Sequence, residues 1–97
     1  MATYVTLYRF TDQGMRNVKK SPDRLAAAID EGSKVGVNVV SAYYTQGPYD
    51  LVVVTEADDE ETAAAFALAT ASQGNVTSTT MRAWDADGFR RLTEMMP

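Results

Sequence analysis

The chain has 97 residues, a length that accommodates one hydrophobic core and therefore one domain spanning residues 1–97. It contains neither cysteine nor histidine, which excludes a disulfide framework, a cysteine nucleophile, a Ser-His triad and the common zinc sites, and we expect no metal and no cofactor. The net charge of −4 argues against nucleic acid as a partner, because phosphate binding needs a clustered positive surface.

The start of the sequence shows no targeting signal. Strand-like sequence follows Met1-Ala2 directly, without the basic and apolar regions of a signal peptide. The most apolar stretch, residues 63–71, is much shorter than the roughly 20 residues of a membrane-spanning helix. We therefore expect a cytoplasmic protein without a membrane partner.

The first third of the chain predicts a strand followed by a helix. Residues 3–10 are rich in β-branched and aromatic side chains, a composition typical of a strand. A helix is predicted to begin at Ser21-Pro22, because serine caps helices and proline suits the first helical turn. Leu25 and Ala28 belong to its apolar face, and Gly36 is predicted to end it.

The middle of the chain predicts a β-hairpin. Two strands, residues 37–45 and 49–56, flank the turn sequence Gln46-Gly47-Pro48. Strands joined by so short a connection are expected to pair with each other.

The last part of the chain contains a second helix, a fourth strand and a tail. Asp58-Asp59 predicts a capped helix start, and Gly74-Asn75 predicts its end. Residues 76–84 are predicted to form the fourth strand and to complete a core of residues 1–84. The spacing of apolar residues predicts a short amphipathic helix in the tail, residues 85–97.

The order βαββαβ predicts a ferredoxin-like α+β fold. Two right-handed crossovers give a four-stranded antiparallel sheet in the spatial order 4-1-3-2, with both helices on one face. Side-chain alternation predicts which residues lie on the other, uncovered face. These are Tyr4, Thr6, Tyr8, Val39, Ser41, Tyr43, Asp50, Val52, Val54, Ser78, Thr80, Arg82 and Trp84. The positions predicted to face the helices are Val5, Leu7, Val40, Ala42, Leu51, Val53, Met81 and Ala83.

An uncovered face with so many aromatic and aliphatic side chains predicts self-association. Such patches usually form an interface or a ligand groove, so we expect a homodimer or a higher homo-oligomer with a cleft on this face. The candidate cleft residues are Tyr4, Thr6, Tyr8, Ser41, Tyr43, Tyr49, Asp50, Thr80, Arg82 and Trp84. The aromatic rings of this region either stack on a planar ligand or, in the favoured interpretation, pack across the dimer interface; they are Tyr4, Tyr8, Tyr43, Tyr44 and Trp84.

The sequence Gly47-Pro48-Tyr49-Asp50 followed by Leu51-Val52-Val53-Val54 resembles the GYD domain family, which is named for a Gly-Tyr-Asp motif. In this chain Pro48 stands between the glycine and the tyrosine. The resemblance continues through Thr3 to Leu7, Thr11 to Gly14, Glu60 to Ala63 and Gly74 to Val76, which is nearly the whole chain. It implies a ferredoxin-like fold with dimeric α/β-barrel association, and it implies no reaction and no catalytic residue.

Several of the candidate residues have two interpretations. Tyr49 and Asp50 either form a ligand-binding corner or, in the favoured interpretation, hold the hairpin backbone. Asp50 and Arg82 either orient a polar ligand or form an interfacial ion pair. A basic cluster that includes Arg16 and Arg24 either binds an acidic group or, in the favoured interpretation, is solvated.

Three classes of function are compatible with this sequence. The leading hypothesis is a homo-oligomeric protein without enzymatic activity, which binds a small molecule or serves as an accessory protein on a larger enzyme. The alternative is a cofactor-independent enzyme that acts on a small aromatic or carbonyl compound, with Asp50 as the base and a tyrosine or Arg82 stabilising the developing negative charge. The third is a structural assembly subunit.

Overall fold

A four-stranded antiparallel sheet forms one layer of the protein and helices form the other. The structure, a computed structural model, describes residues 1–97. Its elements are β1 (Ala2–Phe10), α1 (Asp12–Arg16), α2 (Ser21–Lys34), β2 (Val37–Tyr44), β3 (Leu51–Ala57), α3 (Glu60–Ser72), β4 (Val76–Ala83) and α4 (Ala86–Glu94), with a 3₁₀ turn at Val18–Lys20. The strand order β2-β3-β1-β4 confirms the predicted ferredoxin-like sheet, and the short helix α1 is an addition to the prediction.

Local sequence signals set most of the helix ends. The Asp59 carboxylate accepts a hydrogen bond from the Thr62 amide at 2.7 Å and so begins α3 as predicted. This hydrogen bond stabilises the charged carboxylate and lowers the pKa of Asp59. Gly36 and Gly74 follow α2 and α3 with φ of 85° each, a left-handed conformation that glycine adopts without steric cost.

Ser21 begins α2, but the prediction that it caps the helix was wrong. Its own backbone is already helical, because the preceding 3₁₀ turn leads into α2 without an extended residue between them. The residue before it, Lys20, makes no side-chain capping bond. The Ser21 hydroxyl instead lies 2.9 Å from the Tyr44 hydroxyl and ties the start of α2 to the end of β2.

The predicted facing of β1 was also wrong. Tyr4, Thr6 and Tyr8 lie under the helices and are almost fully buried, whereas Val5 and Leu7 lie on the uncovered side. The strand is apolar on both sides, so alternation alone does not decide its facing. The helices that cover it are rich in alanine, and large tyrosine rings occupy part of the depth that these small side chains leave.

The facing of β4 follows from that of β1. Thr80 pairs with Thr6 and Arg82 with Tyr4, so both lie on the helix-covered side together with Ser78. The prediction had placed Met81 and Ala83 there. The structure places these two residues on the uncovered side instead, because paired residues in an antiparallel sheet share a face.

A β-bulge changes the facing within β2. Val39 pairs with Thr55, but the register then shifts so that Ser41 pairs with Val54. A bulge places two residues opposite one, so the helix-facing set is Val39 and then Ala42, rather than Val40 and Ala42 as predicted. The predicted positions of Ser41 and Tyr43 on the uncovered side agree with this register.

We call the uncovered side of the sheet the open face. It carries Val5, Leu7, Ser41, Tyr43, Val52, Val54, Thr79, Met81 and Ala83, with Thr3, Arg9, Glu56 and Thr77 towards its ends. The chain exposes 6612 Å² of surface, about 1,100 Å² more than the roughly 5,500 Å² expected of a compact monomer of its mass. Its radius of gyration of 14.5 Å likewise exceeds the roughly 12.5 Å expected for its length.

The tail helix α4 begins at a firm cap but packs little against the rest of the protein. The Asp85 carboxylate accepts a hydrogen bond from the Gly88 amide at 2.7 Å. Beyond that point Phe89, Met95 and Met96 are largely exposed. None of the helices in the structure combines the length and the apolar character that a membrane span requires.

Candidate functional site

A cavity of about 580 Å³ lies between the sheet and helices α2 and α3. Apolar side chains of the sheet form its floor, and the two helices form its walls. Alanine is the commonest residue of those walls, and side chains this small do not reach the sheet. Its principal lining residues are Tyr8, Leu25, Ala28, Val39, Val53, Phe66, Ala69, Thr70 and Val76.

One end of the cavity is polar. Tyr8 pairs with Leu51, which in turn pairs with Tyr44, and the bond from Tyr44 to Ser21 brings the start of α2 to this position. The last turn of α3 arrives at the same end, where Thr70 lines the cavity with Tyr8 and its hydroxyl donates to the Phe66 carbonyl at 3.0 Å. Arg24, Gln73 and Asn75 complete the polar lining.

Helix α1 contacts the loop that borders the polar end of the cavity. The Thr11 amide donates to the Asn75 carbonyl at 3.1 Å, and the Gln13 side-chain amide donates to the Gln73 carbonyl at 3.0 Å. Gly14 makes this close approach possible, since a Cβ at this residue would lie 1.9 Å from the Asn75 carbonyl oxygen. Helix α1 and the residue that caps it therefore hold the loop between α3 and β4 in place.

Two polar groups at this end are unusual: the pKa of one is raised, and a donor atom of the other has no hydrogen-bond partner. Burial raises the pKa of the Tyr8 phenol above its ordinary value of 10.0, and the neighbouring Thr70 hydroxyl partly opposes this shift. The Arg24 guanidinium donates from Nη1 to the Asn17 carbonyl at 3.0 Å, whereas its Nη2 is buried without a hydrogen-bond partner. Buried donors are normally satisfied, so Nη2 stands out in this fold.

A smaller hollow of about 290 Å³ lies beyond the other end of β1, beside Tyr4, Glu60, Ala63, Ala64, Thr80 and Arg82. The Arg82 guanidinium carbon lies 5.7 Å from the Tyr4 ring centre and 4.6 Å from that of Trp84. Its Nη1 donates to the Thr3 and Ala83 carbonyls. The Tyr4 hydroxyl is buried without a partner.

The loop between β2 and β3 holds the end of β1 in place. The Asp50 carboxylate accepts a hydrogen bond from the Phe10 amide at 2.8 Å, and the Asp50 amide donates to the Tyr8 carbonyl at 2.8 Å. Arg9 donates to the Pro48 carbonyl at 2.6 Å, and its guanidinium carbon lies 5.5 Å from the Tyr49 ring centre. These contacts support the structural interpretation of this loop.

Comparison with known proteins agrees with this fold. The sequence model of the GYD domain matches residues 4–93. The chain belongs to the GYD family. A curated relative from Thermus thermophilus, described as a glutamine synthetase and cystathionine beta-lyase binding protein, is 39% identical over 84 residues, which cover 86% of this chain and 88% of the relative.

A solved structure also resembles this GYD protein. A crystal structure of a protein from Thermus thermophilus has a TM-score of 0.58 and 24% sequence identity, and the match covers 89% of this chain and 96% of that chain. The likeness concerns the fold.

The structure distributes the predicted cleft residues of the GYD protein over four places. Tyr8 lies in the cavity, and Ser41 and Tyr43 lie on the open face. Tyr49 and Asp50 lie in the hairpin loop. The remaining five, Tyr4, Thr6, Thr80, Arg82 and Trp84, lie in or beside the smaller hollow, where the hydroxyls of Thr6 and Thr80 are 3.0 Å apart.

The predicted partnership of Asp50 and Arg82 does not form in the GYD protein. Arg82 pairs with Tyr4, and Asp50 precedes the residue that pairs with Tyr8. Four residues along a strand span about 13 Å, so the two charges lie at opposite ends of the sheet. The structure therefore offers no pair in which Asp50 acts as a base beside a stabilising Arg82.

Sequence reasoning missed the main cavity of the GYD protein and its polar residues Arg24, Thr70, Gln73 and Asn75. Arg24 was assigned to a solvated basic cluster. The signal that could have found the cavity is the run of alanines in both helices, since two walls of small side chains leave space above the sheet. No group of three or more Asp or Glu residues is placed to hold a metal ion.

Proposed function

We propose that this GYD protein is a homo-oligomeric accessory protein that binds a larger enzyme and is not itself a catalyst. The observation that carries the proposal is the open face, an apolar sheet surface that no element of the chain covers. The name of the curated relative supplies the class of partner, an enzyme of amino-acid metabolism such as glutamine synthetase or cystathionine β-lyase.

Self-association is the part of the proposal that the open face supports. Val5, Leu7, Val52, Val54 and Met81 form an aliphatic strip along its centre. Two copies that pair through this strip bring no like charges together at its centre, as a two-fold interface requires of a self-complementary surface.

We assign the contact with the enzyme to α4. This helix projects from the fold, Phe89 and Leu92 lie three residues apart on one side of it, and the exposed Met96 follows two residues after its end. An exposed amphipathic helix of this kind binds partners by laying its apolar side into a groove. Dimerisation through the open face gives the enzyme two such helices, which strengthens binding to a multi-subunit partner.

Two measurements test the proposal separately. Multi-angle light scattering of the purified protein is expected to give at least the mass of a dimer at micromolar concentration. A monomer over that whole range would reject the assignment of the open face.

Enzyme binding is tested by biolayer interferometry against purified glutamine synthetase and cystathionine β-lyase from the same source as the chain. We expect binding to at least one of them, and a loss of about tenfold in affinity for Phe89→Ser, because an apolar anchor is removed. Arg90→Ser, the matched change at the neighbouring exposed residue, is expected to bind as the parent does. Absence of binding to both enzymes would reject this class of partner.

A further inference from the structure

The cavity between the sheet and the helices is far larger than a packing defect. Native cores contain few voids larger than a water molecule, whereas ligand sites measure roughly 300 to 1,000 Å³. The 580 Å³ found here lies in the middle of that range.

The cavity is accessible between its two walls. Helices α2 and α3 approach closely where Gly32 lies against the Phe66 ring, and they make no other extensive contact with each other. Gly32 lies near the end of α2 and Phe66 near the middle of α3. The gap therefore lies towards the start of α2 and the end of α3, which is the polar end of the cavity.

Polarity changes along the cavity. Val39, Val53 and Phe66 form an interior of apolar side chains. Arg24 and Tyr8 lie at the end with the gap, and the Tyr8 phenol, protonated at neutral pH, is a hydrogen-bond donor there. A molecule that fits this arrangement has an apolar body and a hydrogen-bond acceptor at one end.

The charge at the polar end decides the kind of acceptor. Arg24 Nη2 is buried without a partner, and an arginine donor is satisfied best by a carboxylate or another anion. The acidic residue that also lines the cavity, Glu31, lies seven residues further along α2, about 10.5 Å away in helical rise, and is exposed. Lys19 and Lys20 precede α2 and add positive charge at the same end.

We propose that this cavity binds a small amphipathic anion, with its apolar body against Val39, Val53 and Phe66 and its acidic group on Arg24 Nη2. The site is separate from the surfaces assigned to self-association and to the enzyme. It gives the accessory protein a means of carrying or sensing a small acidic metabolite.

The test uses two fluorescent probes that differ in one group. 8-Anilinonaphthalene-1-sulfonate is an amphipathic anion, and N-phenyl-1-naphthylamine is the same ring system without the sulfonate. We expect the full-length protein to bind both and to prefer the anion, and decanoate to displace the anion more effectively than decanol does.

Variants with matched controls locate the site. Arg24→Gln is expected to weaken binding of the anionic probe about tenfold and to change binding of the neutral probe less than twofold, while Arg16→Gln, the same change at an exposed residue, leaves both unaltered. Ala28→Phe fills the cavity and is expected to abolish binding of both probes, while Ala26→Phe on the exposed side of α2 does not. Ala69→Leu, from the α3 wall, serves if Ala28→Phe does not give a native circular dichroism spectrum.

Three outcomes would overturn the proposal. One is an anionic preference that Arg24→Gln leaves intact. Another is probe binding that survives cavity filling but disappears in Tyr43→Asp, which would place the probe on the open face. The third is the absence of binding of either probe at millimolar concentration.

Discussion

The two faces of the sheet carry different mixtures of side chains. The face under the helices combines aliphatic residues, among them Leu51 and Val53, with the polar groups of Tyr4, Thr6, Tyr8, Thr80 and Arg82. The centre of the open face is aliphatic, and charged side chains lie only towards its ends, at Arg9 and Glu56. The proposal of self-association rests on the aliphatic centre of the open face, and the proposed anion site rests on the polar groups beneath the helices.

The polar groups beneath the helices are only partly satisfied. The hydroxyls of Thr6 and Thr80 hydrogen-bond each other. The Tyr4 hydroxyl on the sheet and Arg24 Nη2 on α2 are buried without partners. These two donors are therefore available to a bound molecule.

The strongest test of the comparison is a charge at the centre of the open face. We expect Val54→Asp to weaken self-association by about 3 kcal/mol or more, over a hundredfold in the dissociation constant, because a carboxylate is buried without a partner. Analytical ultracentrifugation measures the constant. Lys20→Asp, an exposed change, is the control, and equal constants for the two variants would show that the open face is not the interface.

The next test concerns the contact between α1 and the loop that borders the polar end of the cavity. Gly14→Ala is expected to lower the free energy of unfolding by about 2–3 kcal/mol, because the new methyl group meets the Asn75 carbonyl, a backbone atom that cannot move aside cheaply. Urea denaturation measures the loss. Ser33→Ala, at an exposed position of α2, is expected to change stability by less than about 0.5 kcal/mol. An equally small change for Gly14→Ala would show that α1 does not pack tightly against Asn75.

A smaller effect on stability is expected at the hairpin loop that joins β2 to β3. Asp50→Ala leaves the Phe10 amide without its acceptor and is expected to lower stability by about 1–2 kcal/mol. Asp50→Asn retains an acceptor oxygen and is expected to recover most of that loss. If Asp50→Asn were as unstable as Asp50→Ala, the negative charge rather than the hydrogen bond would be the stabilising feature.

The smallest effect concerns pH. The folded state raises the pKa of Tyr8 above its unfolded value of 10.0, so the folded state holds the phenol proton more tightly than the unfolded state does. The resulting contribution to the free energy of unfolding is complete below pH 10 and is lost as the pH rises above 10. Denaturation between pH 9 and pH 11 is therefore expected to show a steeper loss of stability for the parent chain than for Tyr8→Phe. Tyr43→Phe, on the open face, should behave as the parent does.

The sequence alone determined the order of the elements and most of their ends. Asp59 and Gly74 act locally. The Asp59 carboxylate accepts a hydrogen bond from a free amide at the start of α3, and Gly74 adopts a positive φ after its end. The ferredoxin-like strand order follows from the order of the elements and the handedness of their crossovers. Such features require only local interactions and chain connectivity.

Only the tertiary structure decided which side of β1 and β4 meets the helices, whereas the predicted facing of β3, with Leu51 and Val53 towards the helices, was confirmed. β1 and β3 are apolar on both sides, so the periodic pattern allows either facing, and the choice depends on how tyrosine rings fit above alanine-rich helices. The bulge in β2 reverses the pattern within one strand, a change that the shift in pairing with β3 reveals. Arg24 became a cavity residue for the same reason, because its surroundings come from elements distant in sequence that meet only when the sheet and helices pack.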